Sequence, residues 1–421
     1  MGQLSETIHR LAQKAREGSV ALRTVPASVK NRILNAMARR LESAQKKILA
    51  ANAVDLKKAW TSGISGAFAD RLLLNPQRIG EMAQGLREVA KLHDPVGEVI
   101  KEWSRPNGLK IAKVRVPIGV IGIIYEARPN VTADCVGLCL KSGNSVILRG
   151  GSEAIHSNQA IFRCLEEAGK REGMPSGAVN MVWTTNRQAV DLLLSQTGLV
   201  DLVIPRGGEG LIRQVVAKAK VPVIKQYKGV CHTYVDEGAD LRMAEEVCFN
   251  AKVQRPGVCN AMETLLVHRR AAPFFLPVMA RRYRQAGVEL RGDPASRRIL
   301  KGISVRPATE EDWWTEYSAL ILSVKVVGSM REAVQHIQRY GSGHSDAIIT
   351  RSKPHADEFL RDVDSACVYV NASTRFTDGG QFGLGAEIGI STDKLHARGP
   401  MGLEELTTYK YVIIGKGQIR K

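Results

Sequence analysis

A chain of 421 residues, 44% apolar and 24% charged, has ordinary globular composition and enough length for two or three domains. Its formal net charge of +18 suits either nucleic acid or small polyanions. The cations are spread along the whole sequence and aromatics make up only 5%, which argues against a nucleic-acid-binding module and leaves anionic small molecules as the partners that the charge fits.

Residues 1–20 read as a polar amphipathic helix without the continuous apolar core of a signal peptide. Residues 28–58 also read as helical, with Ser28 as a plausible cap and Ile33, Met37 and Leu41 on one face. A further helix begins at Pro76, behind Asn75, and stops before Asp94-Pro95. The period then changes. Residues 99–104 and 109–116 read as two strands around the turn Arg105-Pro106-Asn107-Gly108. The longest apolar stretch, 116–125, is about half of the roughly 20 residues that a membrane span needs, so no membrane partner is expected.

From Gly119 onward, strands and helices alternate. Apolar runs at 119–124, 145–149, 178–183 and 200–204 read as strands, separated by helical segments at 131–141, 153–172, 186–196 and 209–219. Such alternation predicts an α/β fold built on a doubly wound parallel sheet, with ligands at the carboxyl ends of its strands. A second alternating unit begins near His232, with strands at 232–235, 263–267, 320–327, 346–350 and 367–371 and helices at 240–252 and 271–286. A glycine-rich tail follows from Gly379 and closes on the apolar strand 409–414.

Seven cysteines without close pairing or metal-type spacing predict free thiols, no structural zinc and a reducing compartment, hence cytoplasm. Six of the seven lie in or beside helix and strand patterns and read as small core hydrophobes. Cys259 differs, because Gln254-Arg255-Pro256-Gly257-Val258-Cys259-Asn260 is an irregular basic loop in which a thiolate is favoured. The turn Ile204-Pro205-Arg206-Gly207-Gly208-Glu209-Gly210 follows a strand and opens a helix, so its small residues let backbone amides approach a phosphate or a flat ring. Arg149, at the end of the strand 145–149, reads either as a ribose or phosphate contact or as a solvated cation.

In order along the chain, Pro117-Ile118-Gly119-Val120-Ile121-Gly122, then 142–149 ending in Arg149, then Gly257-Val258-Cys259-Asn260 resemble the aldehyde dehydrogenase superfamily. Longer motifs at 125–132, 382–391 and 396–402 resemble the branch of it that reduces glutamyl phosphate. That resemblance implies an aldehyde dehydrogenase-like α/β fold. Residues 1–98 and 117–228 would form the cofactor-binding domain, and 229–378 the catalytic domain. The hairpin 99–116 and the arm 379–421 would serve oligomerisation, which makes a homo-oligomer the expected state.

The resemblance also implies an NADPH-dependent reduction of L-glutamyl 5-phosphate to the semialdehyde in proline biosynthesis, with the upstream glutamate kinase as a partner. Cys259 would be the nucleophile, Asn130 an oxyanion donor, and Arg149, Gly207, Gly208 and Glu316 the cofactor contacts. Arg255, Lys225 and Lys228 are candidates for the substrate's anionic groups, although lysine at a surface is ordinary; Ser373, Gly385 and Ala386 are candidates for its amino-acid end.

Two departures from the wider superfamily bear on the chemistry. Hydrolytic members carry a glutamate base in a Glu-Leu-Gly-Gly segment, whereas 225–232 here reads Lys-Gln-Tyr-Lys-Gly-Val-Cys-His and holds no carboxylate. Without that base a thioester is protected from water, as a reductase requires. The alternative to be weighed is a hydrolytic NAD(P)-dependent aldehyde dehydrogenase; a hydrolase pairing Cys259 with His232 or His344 is more remote. Glu153 aligns with a glutamate that favours NAD over NADP, against the expectation of NADPH.

Overall fold

The apolar run at Val120 becomes a strand buried at every position, as does the run at Ser145, which is the signature of a sheet covered on both faces. The computed structural model of the chain describes residues 2–63 and 66–420. They divide into two units, one of Met1–Lys225, Gly383–Gly389 and Met401–Lys421, the other of Gln226–Phe382 and Ile390–Pro400.

In the first unit β1 (Val99–Ser104) and β2 (Lys110–Pro117) form the antiparallel hairpin, and β2 also pairs with the C-terminal strand Thr407–Ile414. Tyr409, Tyr411, Ile413 and Ile414 of that last strand are exposed. The strands β3 (Val120–Tyr125), β4 (Ser145–Gly150), β5 (Val179–Met181) and β6 (Leu202–Arg206) make a parallel sheet in the order β5-β4-β3-β6. The order reverses at β3, so the crevice for a ligand opens at the carboxyl ends of β3 and β6. One face is sealed by Ile8, Ala12 and Ala15 of the helix Gln3–Leu22 and by Leu193 and Leu194, packed on Val120, Ile124 and Ile147.

The second unit holds β7 (Cys231–Val235), β8 (Met262–His268), β9 (Glu289–Gly292), β10 (Arg306–Pro307), β11 (Ile321–Val327), β12 (Ser345–Ile349) and β13 (Cys367–Val370). They form one parallel sheet in the order β10-β9-β11-β8-β7-β12-β13. Its core joins Val235, Leu265 and Val267 to Phe275, Leu276 and Met279 of the helix Ala272–Gln285.

Three local expectations differ from what forms. The helix Ala27–Ser43 is entered from Pro26, so Ser28 lies in its first turn and caps nothing. No helix was expected between the strands after 320, yet Met330–Tyr340 and Lys353–Asp362 are helices, because parallel neighbours need a crossover. The short strand β9 was also unforeseen; four residues are too few for a period to register. No described helix is long and apolar enough to cross a membrane.

Candidate active site

The helix Leu241–Val253 cannot run on through Pro256 and Gly257, and the chain enters β8 through an irregular loop that carries Cys259. Of the seven thiols, five are buried and only Cys259 and Cys367 are partly exposed, the latter on the strand β13. Burial pushes up the thiols of Cys135, Cys139, Cys164, Cys231 and Cys248, leaving them inert as nucleophiles.

Cys259 is held by backbone contacts on either side. Asn260 donates through Nδ2 to the Thr377 carbonyl at 2.7 Å, accepts from Arg375 Nη1, and its own carbonyl takes the Thr374 hydroxyl at 2.7 Å. Arg375 Nε in turn reaches Gln254 Oε1 at 2.9 Å, so the segment 373–377 clamps both ends of the loop. Ser373 starts that segment, buried, with its Oγ accepting from the Arg375 N–H at 3.3 Å. From beneath, Cys231 Sγ donates to the Cys259 carbonyl at 3.2 Å. The backbone of Gly229 lies so close that a Cβ there would stand 2.0 Å from the Cys259 carbonyl oxygen. Burial, followed by repulsion from the exposed Arg255, lowers Arg375, and Cys259 is among the groups within reach of its charge. A guanidinium within reach of a fixed thiol is the kind of neighbour that favours a thiolate, and with Arg255 close to Arg375 the positive charge attracts an anionic substrate. Lys228 is half-buried two residues ahead of Val230 and β7.

Glu316, half-buried, lies on the loop between the helix Glu310–Trp313 and β11. That loop turns at Ser318, whose φ is +50° and whose N–H donates to Glu263 Oε1 at 3.2 Å. Glu263 Oε2 meets Lys252 Nζ at 2.5 Å, and both side chains are fully enclosed. Burial pushes Glu263 up and Lys252 down, and their mutual attraction opposes both shifts and keeps the two as an ion pair. The charge of Glu316 is felt by both.

In the first unit the other expected residues gather around the carboxyl ends of β3, β4 and β6. Glu126 receives the Gly208 N–H at 2.9 Å, and its Oε2 would lie 2.4 Å from any Cβ at Gly207, so this small-residue turn is filled by a carboxylate. Arg149 is buried; Nη1 donates to the Gly150 carbonyl at 3.1 Å and Nη2 to the Thr185 carbonyl at 3.3 Å, while Nε has no acceptor among the described residues. Burial lowers Arg149; Glu153 acts against this and Arg187 adds to it. The carboxylate of Glu153 folds back to take the Ala127 N–H at 2.6 Å, where the chain turns with φ +37°. Asn130 is exposed at the start of the helix Val131–Lys141 and donates to Asp134 Oδ2 at 3.1 Å. Gly385 turns with φ +76° against Leu92, Ala386 donates to the Leu384 carbonyl at 2.9 Å, and Lys225 is half-buried.

The expected residues therefore fall in two groups: Asn130, Arg149, Gly207, Gly208, Lys225, Gly385 and Ala386 in the first unit; Lys228, Arg255, Cys259, Glu316 and Ser373 in the second. Glu126, Asp134 and Arg206 in the first, and Gly229, Asn260 and Arg375 in the second, also contribute and are not among the residues expected from the sequence. Asn260 carried a signal, since an amide directly after a nucleophile has backbone to hold. The others depend on contacts between segments 30 or more positions apart or on one turn of a helix.

The family model described as the aldehyde dehydrogenase family matches residues 3–298. The chain belongs to the aldehyde dehydrogenase family. Within that family it is 59% identical over 409 residues to the gamma-glutamyl phosphate reductase of Moorella thermoacetica, with 97% of each chain covered. It is 56% identical to that of Halothermothrix orenii over the full length of both. Among solved structures, the gamma-glutamyl phosphate reductase of Thermotoga maritima is 50% identical, with a TM-score of 0.96 over 98% of this chain and 100% of that one. This aldehyde dehydrogenase fold is the α/β architecture that the alternation of strands and helices led one to expect.

Proposed function

We propose that this oxidoreductase reduces L-glutamyl 5-phosphate to L-glutamate 5-semialdehyde with release of phosphate, a step of proline synthesis, and that NADPH is the reductant. What carries the reading is full-length kinship, at 54–59% identity, to relatives named gamma-glutamyl phosphate reductase. The clamped, partly exposed thiol of Cys259 supports it.

In the reaction proposed, the Cys259 thiolate attacks the γ-carbonyl carbon. The bond from that carbon to the phosphate oxygen breaks, phosphate departs, and a thioester remains on Sγ. The oxyanion formed in the attack is stabilised by N–H donors, for which the Cys259 backbone and the Asn130 side chain are proposed. A reduced nicotinamide, whose nucleotide the first unit's Arg149 and Arg187 would hold, would supply the hydride that takes the thioester on Cys259 to a thiohemiacetal. That intermediate loses its C–S bond, returning the thiolate and releasing the aldehyde. Arg149 and Arg187 suit a nucleotide carrying an extra phosphate: the Arg149 guanidinium is buried with Nε lacking an acceptor, and Arg187 adds a second positive charge nearby. Glu153, the residue that argues for NAD, has its carboxylate tied to the Ala127 N–H.

The test runs the enzyme backwards on glutamate semialdehyde with NADP. Turnover should require phosphate, or arsenate in its place, because 225–232 offers no carboxylate to activate water, whereas phosphate is already an anionic nucleophile. Cys259→Ala should abolish it while NADPH fluorescence still reports binding. Sustained NADP reduction without either anion would place the chain among the hydrolytic members instead.

A further inference from the structure

The mechanism above leaves unused a pair of opposite charges in the first unit. Arg206 ends β6 and pairs in register with Tyr125, so it stands beside the turn that leads to Asn130. Its guanidinium lies against Gly389: a Cβ at that position, where φ is +156°, would be 2.4 Å from Nη1. Gly389 closes the segment Gly383–Gly389, which is pinned by the Ile388 N–H on the Met401 carbonyl at 3.0 Å and the Met401 N–H on the Gly389 carbonyl at 2.8 Å. Among the described residues the Arg206 side chain makes no hydrogen bond or ion pair, although it is half-buried. Asp134 lies one helical turn beyond Asn130. Its Oδ2 accepts from Asn130, while Oδ1 takes no hydrogen bond among the described residues. The two charges feel each other without touching.

Half-buried charges that do not satisfy one another are costly unless a ligand completes them. We propose that Asp134 and Arg206 recognise the α-amino-acid end of the substrate, Asp134 taking the ammonium and Arg206 the carboxylate; this rests on the reduction proposed above. A zwitterion matches a mixed pair. The acyl phosphate end does not, because the Asp134 carboxylate acts on Arg206 and the Glu126 carboxylate sits on the Gly208 N–H two residues along, and both would repel a phosphate dianion. Burial pushes the Asp134 carboxyl up to about 6, with Asn130 and Arg206 drawing it down, so it is anionic at neutral pH.

The experiment compares, with NADP and phosphate, kcat/KM for glutamate semialdehyde and for its des-amino analogue glutarate semialdehyde. Asp134→Asn should lower the value for the amino substrate about ten-fold or more and change that for the analogue much less, since only the former offers an ammonium. Arg206→Gln should lower both, with Arg206→Lys recovering part of the loss. NADPH binding by fluorescence, retained in each variant, shows that the unit is folded. Equal losses on both aldehydes in Asp134→Asn, or none on either, overturn this inference while the reduction stands. A parent enzyme that oxidises neither aldehyde overturns the reduction and this inference with it.

Discussion

Gly229 sets how closely the main chain of one segment lies on that of another. A Cβ there would stand 2.0 Å from the Cys259 carbonyl oxygen and 2.5 Å from its Cα, and backbone on both sides leaves no flexible side chain to give way. Gly229→Ala should therefore displace the nucleophile rather than unfold the unit. A shift of about 1 Å in a reacting group costs on the order of a hundred-fold in rate. The measurement is turnover together with the rate of Cys259 alkylation, at constant NADPH affinity; turnover equal to the parent's would show that the contact does not position the thiol. Such a residue is silent in the sequence, where Lys228-Gly229-Val230 looks like any loop. Cys259 is the opposite case: its loop chemistry singled it out among seven thiols, because helix breakers and basic neighbours are local properties.

The helix Leu241–Val253 and the strand β8 are joined by Lys252 and Glu263, an ion pair with no exposure on either side, and Glu263 also holds the turn at Ser318 that follows Glu316. Lys252→Met leaves a carboxylate enclosed without its cation and should cost about 3–5 kcal/mol in denaturant unfolding. Adding Glu263→Gln removes the stranded charge and should restore a large part of that stability. Turnover of the double variant should stay low, because the loop of Glu316 loses a charged acceptor. If the single and double variants are equally unstable, the pair is not what holds these elements. The sequence shows a lysine late in a helix and a glutamate early in a strand; only their packing makes the two one feature.

At the scale of the whole molecule, the second unit carries a built-in sensitivity to acid. His336 is buried among the rings of His232, Trp313 and Tyr340, at centroid distances of 5.5, 5.2 and 4.5 Å, and neither ring nitrogen has a hydrogen-bond partner among the described residues. Burial, then the His232, Lys325 and Arg339 charges, pushes it down to about 2. Its folded value thus lies below its unfolded value of about 6.5. Above that pH the ring is neutral in both states and costs nothing. As pH falls below it, the unfolded chain binds a proton that the folded chain refuses, and stability drops by up to about 1.4 kcal/mol per pH unit. His336→Phe should make the loss of stability between pH 6.5 and 4.5 shallower than in the parent, read from urea midpoints at each pH. An unchanged slope would assign the acid sensitivity to other groups.

Periodicity and turn chemistry by themselves determined the alternation of strands and helices, and with it the parallel sheets, since a strand covered on both faces must be written as an unbroken apolar run. The family followed from motifs long enough to be read without a structure. What only tertiary structure decided is where charged and polar groups meet. The carboxyl-end rule for α/β sheets located Arg149, Gly207 and Gly208, yet Cys259 precedes β8 and Cys231 opens β7, at the amino ends of their sheet. The contacts that hold Cys259, and the juxtaposition of Asp134 with Arg206, join segments from 28 to more than 70 residues apart. A pattern with a period of two or 3.6 reports which face of an element is buried. It carries no information about which distant element lies against that face, because packing between elements is chosen by shape and charge across the whole chain.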